Sequence, residues 1–185
     1  TSTDAWKRLL DLVEDTAAKR GEELNPRQSL GAAGLQSIVT LPGSIGRLKS
    51  VKRLDLYGSS LLRLPHEIGG MAALREIDPY TSYRLHWYPF ELTRCKNLVA
   101  SRVSTRALYG NHKYRLPFPD LRANGNRAAL EMTCPNACSV CNGPFSGPVK
   151  PCWISVGIAT DVFPLLVYAC SNRCIDVLPR PPDKY

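Results

Sequence analysis

Apolar residues recur along the middle of the chain with a 23-residue period. In the stretch 41–63, Leu41-Pro42, Ile45-Gly46, Leu48, Val51 and Leu54 mark the inward positions. They fall on Leu64-Pro65, Ile68-Gly69, Met71, Leu74 and Ile77 of the stretch 64–87. A third unit begins one residue late and fills the same slots with Pro89, Leu92, Cys95, Leu98 and Val103, and the segment 35–42 reads as the tail of an earlier, degenerate unit. Within a unit, the alternation of Leu54 and Leu56 predicts a short strand with one face inward. Pro-x-x-Ile-Gly opens a return segment, which Leu48 and Val51 close. One such unit cannot bury its own apolar face, so the units are expected to stack.

At the amino end the period changes to that of a helix. Trp6, Leu9, Leu10, Val13 and Ala17 share one helical face. Ser2 or Thr3 is placed to cap a helix starting near Asp4, and Gly21 to stop it after Lys19 and Arg20. Asp4 and the basic pair match the two ends of the helix dipole. The helix is expected to cover the first unit.

The pattern L-x-x-L-x-L-x-x-(N)-x-L-x-x-L-P in "VKRLDLYGSSLLRLP" resembles the 23-residue, L-P-x-x-I-G-x-L type of leucine-rich repeat. The resemblance covers about half of the chain. It implies an α/β fold: a short leucine-rich-repeat solenoid with an N-terminal capping helix. Two features depart from the family. Ser59 and Ser82 stand where the family has asparagine, and Pro79, which has no N–H, stands at an inward strand position. The pattern fades after Val103, and 106–122 reads as an irregular exit.

In that repeat type the side chains flanking the inward strand residues form a concave face. Here they are Lys52, Arg53, Asp55, Tyr57 and Gly58, then Arg75, Glu76, Asp78, Tyr80 and Thr81, then Val99, Ala100, Arg102, Ser104 and Thr105. Asp55 stacks on Asp78, Tyr57 on Tyr80 and Lys52 on Arg75. Neighbouring carboxylates repel unless paired, and Arg53, Arg75 and Arg102 are candidates to pair with them. Tyr and Arg are also the residues that dominate binding hot spots. Lys52, Arg53, Asp55, Tyr57, Arg75, Asp78, Tyr80 and Arg102 are therefore the candidate partner-binding strip.

Charge sharpens this picture. The formal net charge is +8, and residues 41–122, with 14 basic and 6 acidic side chains, carry the whole excess. Such a surface speeds encounter with acidic partners, protein or nucleic acid. No apolar run is long enough to span a bilayer, so no membrane partner is expected.

The candidate chemistry lies further on. Three of the seven cysteines sit in "CPNACSVC", and two more in "YACSNRC". Cys138, Cys141, Cys170 and Cys174 give C-x2-C-x28-C-x3-C, two close thiol pairs that suit a four-coordinate structural zinc ion. Between them, 153–158 and 164–169 read as a hairpin turning near Thr160-Asp161, and 171–178 as a short helix stopped by Pro179. Knuckle, hairpin and helix together resemble a treble-clef zinc finger of the FCS, MYM or TRASH-like kind over 134–178, which implies the same four ligands. Cys134 or Cys152 can stand in for one of them. Three disulfides among the six cysteines from 134 to 174 are the rival, but closely spaced pairs are natural chelates and uncomfortable internal disulfides. His66, His86 and His112 all lie in the repeat region and outside any nucleophile motif, so no acid–base constellation can be assembled.

The expected organisation is a capping helix at 1–24, repeats at 25–122 and a zinc-finger-like module at 123–185. The expected function is non-enzymatic binding of another protein, in a reducing, cytoplasmic setting. By analogy with compact bacterial layouts, the narrower form is an immunity- or antitoxin-like inhibitor of a cognate effector. A nucleic-acid-binding adaptor is the alternative.

Overall fold

The computed structural model describes residues 4–104 and 134–180. The caps at Ser2 and Thr3, the strip residue Thr105, the irregular exit at 106–122, His112 and the 122/123 boundary lie outside the described residues.

Helix α1 (Asp4–Ala18) turns Ala5, Leu9, Val13 and Thr16 inward. Strand β1 (Glu23–Leu24) follows, then α2 (Pro26–Gln36). The Asn25 side chain accepts the Gln28 N–H, and Pro26 at the first helical position completes a favourable start. Strands β2 (Arg53–Asp55), β3 (Glu76–Asp78) and β5 (Ala100–Ser101) join β1 in a four-stranded parallel sheet of order β1-β2-β3-β5. Arg53 pairs with Glu76 and Asp55 with Asp78, so residues 23 apart lie side by side. Each chain reversal behind the sheet is a five-residue 3-10 turn: 43–47, 66–70 and 90–94. Leu24, Leu54 and Ile77 point inward and are fully buried, with Leu41, Ile45, Leu48, Leu64, Ile68, Met71 and Leu92 around them.

A second, three-stranded sheet has the order β4-β7-β6. Strands β6 (Lys150–Ile158) and β7 (Asp161–Ala169) form an antiparallel hairpin, and β7 pairs in parallel with β4 (Tyr88–Pro89). Helix α3 (Asn172–Asp176) closes the described chain.

The expected leucine-rich-repeat solenoid with one capping helix and a separate treble-clef module is therefore corrected. The molecule is a mixed α/β structure with an open parallel sheet of two- and three-residue strands and a second, mixed sheet, and it has three α-helices among the described residues. The physical reason lies at Trp87-Tyr88-Pro89. Trp87 and Tyr88 are almost fully buried, against Trp153 and Phe163 respectively. This part of the chain joins the second sheet, and Phe163 and Leu165 of β7 complete the same core as Leu54 and Ile77. An array this short leaves apolar surface at its end, and the hairpin covers it. At the amino side, β1 and the whole of α2 replace the expected degenerate unit.

Two polar clasps complete the frame. Ser59 and Ser82 hydroxyls bond each other at 2.8 Å, Ser82 Oγ donates to the Leu56 carbonyl, and Ser104 Oγ accepts the Thr81 N–H. Serine thus satisfies buried backbone in place of an asparagine ladder. At the β5 edge, Ser101 and Thr160 exchange hydrogen bonds, and Ser101 Oγ donates to Asp161 at 3.0 Å. The turn of the β6–β7 hairpin thereby sits on that edge strand.

Candidate metal centre and the face of the parallel sheet

The stretch 138–143 forms a tight knuckle. Cys138 N–H donates to the Gly143 carbonyl, Asn142 N–H to the Cys138 carbonyl, and Asn142 takes the left-handed conformation (φ 59°) that asparagine tolerates better than most residues. Ser139 docks the knuckle on β7, donating to the Tyr168 carbonyl and accepting the Tyr168 N–H on its hydroxyl. Arg94, from the third 3-10 turn, donates to the Ser139 carbonyl at 2.8 Å. On the other side Ser171 caps α3 by accepting the Cys174 N–H. Cys170 and Cys174, one helical turn apart, are aimed at the knuckle.

The Sγ atoms of Cys138, Cys141, Cys170 and Cys174 all lie within 4.8 Å of one another. The pairs Cys141–Cys170 and Cys170–Cys174 are 3.7 and 3.6 Å apart. Those spacings suit the edges of a tetrahedron of sulfurs around one cation and are far longer than a disulfide bond. Cys134 and Cys152 are outside the group. Burial raises the Cys138 thiol pKa, but amide hydrogen bonds from Cys141, Val140 and Cys170, with a bond from the Cys141 thiol, outweigh it and bring it down to about 6. Cys170 is pushed up to about 12, chiefly by its hydrogen bond with Cys174 and also by that with Cys141, against the opposing effect of Ser171. A divalent cation replaces the protons that the sulfurs otherwise share. Gly143 N–H to Cys141 Sγ and Cys170 N–H to Cys138 Sγ, each at 3.4 Å, are the outer hydrogen bonds that hold ligand sulfurs in place. The four cysteines can hold a metal ion.

The solvent face of the parallel sheet carries three rows. The first is Glu23–Arg53–Glu76, with Arg53 bridging both acids at 3.7 and 3.0 Å, and Lys52 beside it paired with Glu22. The second is Asn25–Asp55–Asp78–Arg102. Asn25 Nδ2 donates to Asp55, and Arg102 donates through Nε and Nη2 to Asp78. Each carboxylate also accepts the backbone N–H two residues on, from Tyr57 and Tyr80. The two like charges are therefore tolerated because the Asn25 amide and, at 3.9 Å, Arg53 Nη2 meet Asp55 while the Arg102 guanidinium meets Asp78. Asp78 is buried, with its side chain only 3% exposed, and the hydrogen bond and charge of Asp78 in turn raise the Arg102 pKa.

Tyr57 and Tyr80 form the third row, 37% and 41% exposed, with ring centroids 6.1 Å apart. Arg102 lies over both rings, at 5.8 and 5.2 Å, and Arg27 over Tyr57 at 5.5 Å. Of the residues predicted for the strip, Tyr57, Tyr80 and Arg102 are thus brought together. Asp55 and Asp78 lie beneath them as supports, Lys52 and Arg53 are engaged by acids, and Arg75 is exposed with no ion pair among the described residues. Arg27 and Asn25 were missed. The Asn25-Pro26 pair was the available signal, since it marks a helix start that carries Arg27 over the sheet.

Neither models of protein families nor curated proteins give a match to this chain. Among the described residues, no helix is long and apolar enough to cross a membrane.

Proposed function

We propose that this chain is a non-enzymatic protein-binding module. The observation that carries the reading is the pair of exposed tyrosines, Tyr57 and Tyr80, held side by side with their rings tilted by 34° and flanked by Arg27 and Arg102. Aromatic and arginine side chains supply most hot-spot energy, and rings already held in place lose little freedom on binding. A cognate effector protein is the partner type this reading names first.

We assign the metal as zinc in a structural role. Four sulfurs fill a tetrahedral shell and leave no position for a substrate or an activated water. The centre is also tied through Ser139 and Arg94 to the turn behind the sheet, so its effect on binding runs through the fold.

The test is capture of partners from the native cell with wild-type protein and a Tyr57→Ala/Tyr80→Ala double variant. Titration of the captured protein with wild type and Tyr80→Ala follows. Tyr80→Ala is expected to weaken binding by about 1–3 kcal/mol, as truncation of a hot-spot residue does. Equal binding by all variants would refute the assignment of this face. Nucleic-acid binding is the second reading, favoured by the +8 charge. It requires affinity to fall steeply with salt and arginine substitutions to outweigh tyrosine ones.

A further inference from the structure

We infer that the partner meets the Tyr57–Tyr80 row with acidic side chains of a protein segment. This deepens the reading above and rests on it. The acids closest to the row are withdrawn from any partner. Asp55 and Asp78 are spent on the Tyr57 and Tyr80 N–H groups, on Asn25 and on Arg102. What remains at the surface is phenol rings and two guanidiniums. Arg27 has no carboxylate within ion-pair distance among the described residues, and the Arg102 side chain is 59% exposed although it holds Asp78. A guanidinium lying over a ring keeps N–H donors at its rim, where a carboxylate can be gripped by two at once. An apolar or basic partner would leave these donors facing nothing, or facing like charge.

The adjoining row separates an acidic protein from a nucleic acid. Glu22, Glu23 and Glu76 stand at the surface there, and the Lys52 and Arg53 charges between them are already engaged. A continuous polyphosphate needs a rail of free cations. This face offers Arg27, Arg75 and the outer edge of Arg102 beside a row whose three carboxylates and two cations leave it no free positive charge. Discrete acidic side chains can be set against the aromatic row while the rest of the segment passes over the mixed row.

The test uses the full chain and three fluorescein-labelled eight-residue probes: a Glu-Leu alternating peptide, a Lys-Leu alternating peptide and oligothymidylate. Binding is read by anisotropy at 50 and 200 mM salt. The Glu-Leu peptide is expected to bind at least about ten-fold tighter than the other two and to weaken several-fold at the higher salt. Arg27→Glu and Tyr80→Ala should each weaken it by about ten-fold or more. Circular dichroism checks that both variants stay folded, as expected of exposed side chains that meet the Tyr57 ring and, for Tyr80, the Arg102 guanidinium at the surface. Glu-Leu binding that survives both variants would place the acid site elsewhere and overturn the inference. Tighter binding of oligothymidylate would overturn both the inference and the protein-binding reading. If Tyr80→Ala loses the captured partner while the Glu-Leu peptide fails to bind, the interface stands and its acidic specificity falls.

Discussion

Successive 3-10 turns behind the sheet approach so closely that glycine is needed where they touch, and Gly69 shows the consequence. A Cβ on Gly69 would sit 2.7 Å from the Glu91 carbonyl oxygen and 2.9 Å from Glu91 Cβ, where ordinary contacts begin at 3.4 Å. Both atoms belong to the turn 90–94, which packs on β7 and is held to the knuckle by Arg94. Neither can rotate away, so the turns must part by about 0.7 Å. Gly69→Ala should therefore cost about 1–3 kcal/mol of overpacking. The lower entropy of the unfolded alanine chain returns about 0.4–1 kcal/mol. The net loss of about 1–2 kcal/mol corresponds to a drop in Tm of about 2–8 °C for a chain of this size. Gly43→Ala is the matched control. Its Cβ would also meet an atom at 2.9 Å, but that atom is the Glu67 carboxylate oxygen, at the end of a part-exposed flexible side chain whose contact with His66 Nε2, at 3.3 Å, can shift with it. Its midpoint in urea should stay within about 0.5 kcal/mol of wild type. The reasoning is refuted if Gly69→Ala melts at or above the wild-type temperature, or if the two variants lose equal stability.

Three further outcomes are expected. Purified protein should carry about one equivalent of zinc. Chelation or Cys138→Ser should lower the melting temperature and unfold 134–178, as metal binding is coupled to folding; retention of fold and metal by that variant would count against a structural centre. Thr81, a β-branched residue held at φ 61° where the preceding unit has Gly58 at φ 69°, stores strain of about 1–2 kcal/mol. Thr81→Gly should therefore stabilise the protein by about 0.5–1 kcal/mol in urea titration after the glycine entropy loss. Burial raises the Cys95 thiol from 9.0 to about 11, against the opposing charges of Lys49 and Lys96. Between those values the unfolded thiol ionises while the folded one keeps its proton, so stability falls as pH rises through that window. Wild type should lose about 2 kcal/mol more than Cys95→Val between pH 9 and 11 in urea titrations at each pH.

Local spacing carried much of the information, and long-range contacts carried the rest. The period of Leu54, Leu56 and Ile77 told which side chains face inward, because an alternating strand leaves no other way to bury them. The spacing of Cys138, Cys141, Cys170 and Cys174 told which sulfurs come together, because thiol pairs three or four residues apart can share an ion. The architecture was misjudged. Nothing local marks Tyr88-Pro89 as a strand, since its two residues pair only with Leu165-Leu166 far along the chain. Helix α2 was hidden by Gly31 and Gly34, which blur its periodicity, and Gly31 breaks its backbone at φ 71°. The exposed strip was half legible. Side-chain columns follow from a parallel register, but which carboxylates face a partner and which serve the backbone depends on hydrogen bonds such as Asp78 to the Tyr80 N–H.

The clasp between Ser101 and the Thr160-Asp161 turn also bears on how this chain can change length over generations. A tandem duplication placed after β5 would have to release those hydroxyl bonds and expose the strand edge they cover. A duplication of 23 residues inserted between β2 and β3 would meet matching partners on both sides, since those strands already pair in a register of that length. Growth from within is therefore the open route, and the end that carries the cysteines would be displaced as a block while its own fastening stays as it is.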